Sequence, residues 1–292
     1  MKTLIVIAGP TASGKTAAAI QLAKELDTVI INADSRQFYK EMSIGTAAPT
    51  PKELHEVKHY FVHNISIFDE YDVATYEKQV MKLLPKLFEK HDAVVLTGGS
   101  GLFIDAVCKG IDTMPDITKE TRQRVNLLFE KQGLEGLQAE VQRLDPEYWS
   151  VVDRKNPRRL QRALEVCYQT QQTFTSFRTR KPADRDFTIV KYALLWDKQE
   201  LYNRINQRVE VMISQGLVDE ADHAFRLTIG DDYRTLSFDE AFSRLPNSLR
   251  TVGYQELLPH LLGQCSLDEA VAQIQTNTRH YAKRQMTWWR NR

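Results

Sequence analysis

The chain has 292 residues, 42% of them hydrophobic and 26% charged, with a formal net charge of +1. That make-up fits a soluble globular protein with a sizeable core, and it excludes a uniformly basic nucleic-acid coat, although local basic patches can still bind RNA. Cys108, Cys167 and Cys265 are odd in number and far apart, which argues against a disulfide framework or a zinc site. No apolar run approaches bilayer length, and the first strand begins at once, so no signal peptide is expected. A cytoplasmic protein with no membrane partner is expected.

The segment TLIVIA (3–8) predicts a buried strand, and KTAAAIQLAKEL (15–26) predicts a helix. Between them, Gly9-Pro10-Thr11-Ala12-Ser13-Gly14-Lys15-Thr16 fits G-x-x-x-x-G-K-[ST], the phosphate-binding loop. Glycines let backbone N–H groups converge on an anion, Lys15 adds a mobile positive charge, and Thr16 offers a hydroxyl to Mg²⁺. The helix N-terminus adds its partial positive charge. By motif alone ATP is the default ligand, but the loop itself does not say whose phosphate it holds.

A second strand, TVIINAD (28–34), ends in Asp34, with Ser35 and Gln37 beside it. Strand C-termini edge the ligand crevice of a parallel sheet, so Asp34 suits either a magnesium partner or a general base. The plainer alternative is a turn cap. His55, His59 and His63 recur every four residues, but HYFVHNISIF is too β-branched for a helical metal face, so ordinary hydrogen-bonded histidines are expected. Residues 73–90 predict a helix kinked at Pro85, and 92–101 a third strand running into the glycine turn that carries Ser100. Ser100 there can meet a phosphate oxygen or orient a reacting group. This alternation predicts an α/β fold: a parallel P-loop NTPase-like sheet with helices on both faces.

From about residue 113 to 186 the sequence turns helical and charged, which predicts an inserted helical subdomain within a core of 1–112 and 187–292. It carries a basic cluster of Arg154, Lys155, Arg158, Arg159 and Arg162. The segment 188–196 predicts a return to the sheet. Helices then follow at 198–214, 217–227, 250–262 and 266–287, and 230–248 is expected to be irregular and mobile. Arg204 and Arg208, one helical turn apart, suit either a diphosphate or surface carboxylates. A second cluster, Lys283, Arg284, Arg290 and Arg292, stands beside Trp288 and Trp289. Cations interleaved with flat rings suit RNA, where phosphates meet Lys and Arg and splayed bases stack; a solvated helix face and a basic tail are the plainer readings.

The motifs GPTASGKT (9–16), ADSRQFYKEMSIGTAAP (33–49), GGSGLF (98–103), NPRRLQRALEV (156–166), LYNRINQRVEVM (201–212), GLVDEA (216–221), TVGYQE (251–256) and TRHYAKRQMTWWR (278–290) together resemble the tRNA dimethylallyltransferases, or isopentenyl-diphosphate:tRNA transferases. The resemblance runs along nearly the whole chain. It implies transfer of a dimethylallyl group from its diphosphate to N6 of adenosine 37, beside the anticodon, in tRNAs reading codons that begin with U. It implies Asp34 as general base, Ser100 (where the family often has Thr) orienting the reactants, and Lys15 and Arg208 acting on the diphosphate held by Gly9 to Thr16. It further implies tRNA contacts from Asp34, Ser35, Arg36, Gln37 and Ser100, and from Arg122, Arg158, Arg159, Leu160, Gln161 and Arg162 in the insertion. Arg250, Thr251, Val252, Gly253, Tyr254 and Gln255 would add contacts, as would Lys283, Arg284, Gln285, Met286, Thr287, Trp288, Trp289 and Arg290. Mg²⁺ on Thr16 is the implied cofactor, and a monomer is expected. Ala48 departs from the family's usual Lys.

The chemistry agrees. An exocyclic adenine amine is a poor nucleophile, and a carboxylate within reach can take its proton as the new bond forms. A kinase using ATP on the same loop leaves the two basic clusters without a role. A plain RNA-binding protein leaves Lys15, Thr16 and Asp34 without one.

Overall fold

The computed structural model describes residues 2–179 and 181–290. Arg292 of the second basic cluster lies outside the described residues. Five parallel strands form one sheet in the order β3-β2-β4-β1-β5: β1 (Thr3–Ala8), β2 (Ile30–Asn32), β3 (His59–Tyr60), β4 (Ala93–Gly98) and β5 (Thr188–Ala193). The period-two alternation of strands divides their side chains between two layers. Leu4, Val6, Ala8, Ile31 and Leu96 pack with α3 (Val73–Phe88) and α4 (Gly101–Lys109). Ile7, Ile30 and Val95 pack with Ala19, Ile20 and Ala23 of α1 (Lys15–Glu25). Helices therefore cover both faces, as the sequence predicts.

All carboxyl ends lie on one edge, so the phosphate loop after β1, the Asp34 turn after β2 and the glycine turn after β4 meet there. Local chemistry fixes each turn. Asn32 Oδ1 accepts the Asp34 N–H at 3.2 Å, and Asn32 Nδ2 donates to Phe61 O at 2.9 Å. Gly98 admits no side chain, because a Cβ would lie 2.2 Å from the Ala33 carbonyl carbon.

A compact unit of Met1–Lys109 and Asp184–Arg292 contains this sheet, and Gly110–Ala183 forms a second compact unit. In the first unit, α2 (Pro51–Glu56) precedes β3, and β5 leads into α9 (Lys198–Ser214), α10 (Leu217–Ile229), α11 (Phe238–Arg244), α12 (Tyr254–Leu261) and α13 (Leu267–Arg290). These last five helices share a second core around Phe225, Tyr233, Tyr254, Leu257 and Ile274. The second unit holds α5 (Lys119–Leu144, broken at Gly133), α6 (Pro146–Val151), α7 (Pro157–Thr170) and α8 (Phe174–Phe177) around Leu137, Leu160 and Leu164. Among the described residues no helix is long and apolar enough to cross a membrane.

Three expectations need correction. Pro85 sits in the last turn of α3, so the helix ends shortly after it and no kink breaks the element. The segment 230–248 is not loose: it forms a 3-10 turn and α11, and Tyr233 is fully buried with its hydroxyl 2.6 Å from Asp222 Oδ1. The helix expected over 250–262 starts only at Tyr254, after Gly253 with φ of 102°.

Candidate active site

The phosphate loop is braced from outside by α9. Arg204 Nε donates to Ala12 O at 2.8 Å, and the guanidinium stacks on Trp196 with its carbon 4.3 Å from the ring centre. Trp196 Nε1 donates to Ser13 O at 2.9 Å. Arg208 NH1 reaches Thr11 Oγ1 at 3.4 Å. Both arginines therefore turn toward the loop, and Arg204 serves as its strut.

Lys15 keeps partial contact with solvent, yet its ammonium lies deep among protein atoms. Burial lowers its pKa from 10.5 to about 8; nearby Asp34 opposes the shift and Arg208 reinforces it. Burial likewise pushes the Arg208 guanidinium below its ordinary value, with Arg204 adding to the effect and Asp34 opposing it. Like charges held close in a sheltered place raise one another's cost. The cradle is short of negative charge, and a diphosphate would supply it.

Asp34 sits across from these cations. Its Oδ1 accepts the Arg36 N–H at 3.2 Å, so one part of the turn-cap role is real. A Cβ on Gly99 would lie 2.9 Å from Asp34 Oδ2, 2.6 Å from Gln285 Nε2 and 3.8 Å from Lys15 Nζ. Three functional side chains thus converge where Gly99 has none. Ser100 Oγ accepts the Ser35 N–H at 3.0 Å and hydrogen-bonds the Tyr281 hydroxyl. Burial, then the charge of Asp34, raises the Tyr281 pKa, so its hydroxyl stays protonated.

Beside Asp34 opens a cavity of about 380 Å³. Asp34, Arg208 and Tyr281 give it polar lining, and Val209, Met212, Val252 and Ile274 apolar lining. Gly45, Thr46 and Ala47 form a further wall. Glu220 holds that wall by accepting the N–H groups of Ser43, Ile44 and Gly45 at 2.8–2.9 Å and the Tyr254 hydroxyl at 2.6 Å.

The oxygen donors present suit Mg²⁺. Thr16 offers a hydroxyl at the start of α1 and Asp34 is the acid just past the end of β2, across β4 from the loop, while Mg²⁺ commonly completes its octahedron with phosphate oxygens and water. Among the described residues no cluster of three or more His, Cys, Asp or Glu stands ready to hold a metal alone. His55, His59 and His63 fall on α2, on β3 and in a turn, where His59 Nδ1 meets Val57 O at 2.8 Å and His63 Nε2 meets Ser43 Oγ at 3.3 Å.

The residues expected to touch RNA divide into two groups. Arg158 and Arg159 are exposed on α7, and Lys283, Arg284, Thr287 and Arg290 on α13; Arg122 is exposed on α5. Others make bonds or packing contacts within the protein, some buried and some at its surface. Leu160 is fully buried, a packing residue and not a surface contact. Tyr254 is fully buried against Glu220, and Gln37 donates inward to Thr46 O and Ala47 O. Arg36 donates to Asn247 O and Ser248 O, and Arg250 to the carbonyls of Phe242, Ser243 and Leu245. Gln161 donates to Asn126, Arg162 pairs with Glu165, and Met286 and Trp289 pack on cores. Tyr281 and Glu220 were not singled out in the sequence; their only signal was membership of the motifs that contain them.

A loop of this form, set between a central strand and its helix on the carboxyl edge of a parallel sheet, defines the P-loop class of phosphate-binding α/β proteins. Within that class the chain belongs to the IPP transferase family, whose model matches residues 37–292. It is 47% identical over 290 residues to tRNA dimethylallyltransferase 1 of Bacteroides thetaiotaomicron, covering 99% of this chain and 89% of that one. The tRNA dimethylallyltransferase of Flavobacterium johnsoniae is 43% identical over 296 residues, with coverages of 99% and 91%. Among solved structures, the tRNA isopentenylpyrophosphate transferase of Bacillus halodurans aligns with a TM-score of 0.69 at 30% identity, covering 100% of this chain and 88% of that one. A eukaryotic dimethylallyltransferase acting on tRNA shares the fold at a TM-score of 0.82 and 23% identity, with coverages of 99% and 70%.

Proposed function

We propose that this protein transfers the dimethylallyl group of dimethylallyl diphosphate to N6 of adenosine 37 in tRNA, releasing diphosphate. The observation that carries the reading is a single cavity lined both by Asp34 and Arg208 and by apolar Val209, Met212, Val252 and Ile274, next to the cationic phosphate loop. In the reaction the N6–C1 bond forms as the C1–O bond breaks, and the electron pair of that bond leaves with the diphosphate. Asp34 takes the amine proton, while Lys15, Arg208 and the loop amides meet the charge that develops on the leaving group. Val209, Met212 and Ile274 shelter the five-carbon group from water. Mg²⁺ on Thr16 would neutralise further diphosphate charge when bound. Because the target base lies in a loop, flipping it out costs only a few kcal/mol. The protein acts as a monomer in the cytoplasm.

The purified protein is expected to transfer label from dimethylallyl diphosphate to an unmodified anticodon stem-loop carrying adenosine at the acceptor position. Failure there, with ATP-dependent phosphorylation of a small acceptor instead, would favour a kinase.

Arg158 and Arg159, exposed on α7, and the partly exposed Arg162 are read as phosphate contacts. Changing Arg158, Arg159 and Arg162 to Ala should weaken tRNA binding and reduce the slope of log K against log salt by about 1–2, since each phosphate contact contributes roughly 0.7–0.9. Arg162 contributes least because Glu165 already pairs with it at 3.3 Å. An unchanged slope would return the cluster to a solvated helix face.

A further inference from the structure

One side chain ties the two glycine loops together. Gln285, only 6% exposed, accepts the Thr11 N–H through Oε1 at 2.8 Å and donates from Nε2 to Gly99 O at 2.7 Å. Thr11 belongs to the phosphate loop, and Gly99 precedes Ser100 in the turn that faces Asp34. The strands beneath the loops are paired as far as Ala8 and Gly98, and beyond that point Gln285 joins Thr11 to Gly99.

The bridge stands on α13, and helical spacing gives that helix two working faces. Tyr281, Gln285 and Trp288 are separated by four and three residues and lie on one side. Tyr281 bonds Ser100, Gln285 clasps both loops, and the Trp288 ring covers Gly101, where a Cβ would lie 2.4 Å from its indole nitrogen. Lys283 is exposed on the opposite side, and Arg284, exposed at the edge of the inner face, lies over the Tyr281 ring and lines the cavity with it. A rigid helix that binds an anion on its outer face and grips two loops with its inner face has the means to link them. A shift of α13 changes both ends of the Gln285 bridge at once.

Building on the tRNA-prenylation reading above, we infer that Gln285 is a positioning residue that couples RNA bound on the outer face of α13 to the seating of the diphosphate. Coupling of this kind is reciprocal: if RNA tightens diphosphate binding by some factor, diphosphate tightens RNA binding by the same factor. The amide is suited to the role because it needs both a donor and an acceptor in one side chain, one for each loop. A glutamate would keep the acceptor for Thr11 and lose the donor to Gly99. It would also set a negative charge beside that carbonyl and near Asp34.

The test is a binding cycle by calorimetry, with inorganic diphosphate and Mg²⁺ as one probe and an unmodified anticodon stem-loop as the other. In the wild-type protein the affinity for diphosphate should rise about tenfold when the stem-loop is present. In Gln285→Ala that ratio should fall to within about twofold of unity, while the stem-loop alone binds within about threefold of wild type. If Gln285→Ala does not fold, as read from its thermal transition, Gln285→Glu carries the same expectation. A merely structural residue would lower the melting temperature and leave the ratio in place, and that result overturns the inference. So does a wild-type ratio of one with both probes bound, which leaves the functional reading intact. Failure of either probe to bind at all overturns the functional reading, and the coupling with it.

Discussion

Asp34→Asn is expected to lower kcat by about 10²–10⁴-fold while tRNA affinity stays within about threefold, the range general-base catalysis commonly contributes. The substitution keeps the shape and the acceptor for the Arg36 N–H, so the turn should survive. What it removes is the negative charge opposite Lys15 and Arg208 and the basicity toward the amine proton. Single-turnover transfer rates with saturating tRNA isolate that step from binding. A magnesium titration separates the two chemical roles that strand-end placement allows. A general base leaves the Mg²⁺ dependence of the residual rate unchanged, whereas a metal partner shifts it to much higher Mg²⁺. Loss of tRNA binding in Asp34→Asn would remove the support for the general base.

How far the site could be read from the sequence follows from the range of each signal. The phosphate loop was legible because its function is local: eight consecutive residues make the turn, the donors and the helix start. Asp34 was legible because strand ends in parallel sheets share one edge, a topological rule that holds without coordinates. The strands β1, β4 and β5 were legible as apolar β-branched runs, while β3, two residues long, gave no periodicity to read. In the sequence Gln285 is one more residue of a basic run expected to touch RNA. Its two bonds reach back 274 and 186 residues, and nothing in a local window reports a pairing at that separation. Leu160 and Tyr254 failed for the opposite reason: a motif marks a stretch as important without dividing its residues between the surface and the core. On an amphipathic helix such as α7 the division follows the 3.6-residue period, and Leu160, Ala163, Leu164 and Cys167 form its buried stripe. The apparent disorder of 230–248 had a similar source, since Tyr233 is held by Asp222 and by a core built from five other helices.

Replacing Lys15 by methionine is expected to lower kcat/KM by about 10²–10³-fold, the scale of losing one preorganised charge at a developing oxyanion. The same change should stabilise the ligand-free protein at pH 7. Burial has brought the Lys15 pKa in the folded chain to about 8, below its ordinary 10.5. At pH 7 the amine is charged in both folded and unfolded states, and the folded state carries the full cost of a desolvated ammonium. As pH rises between the two values the folded state has already released its proton while the unfolded chain still holds one, so stability rises with pH. A difference of this size corresponds to about 3 kcal/mol at most. Methionine has a similar stem and no charge, so Lys15→Met should gain part of that amount at pH 7 and lose the pH-dependent rise, both measurable by denaturant unfolding. Catalysis runs the other way. In the free enzyme kcat/KM should fall as pH rises through about 8, because the charge that meets the leaving group disappears, and Lys15→Met should lack that limb. Bound diphosphate returns a counter-charge to the cradle and holds the ammonium protonated, so the limb in kcat should lie at higher pH than the limb in kcat/KM. If the alkaline limb persisted unchanged in Lys15→Met, another group would be its source. If the variant were less stable than wild type at pH 7, Lys15 would be a structural cation and not one held at a cost for the diphosphate.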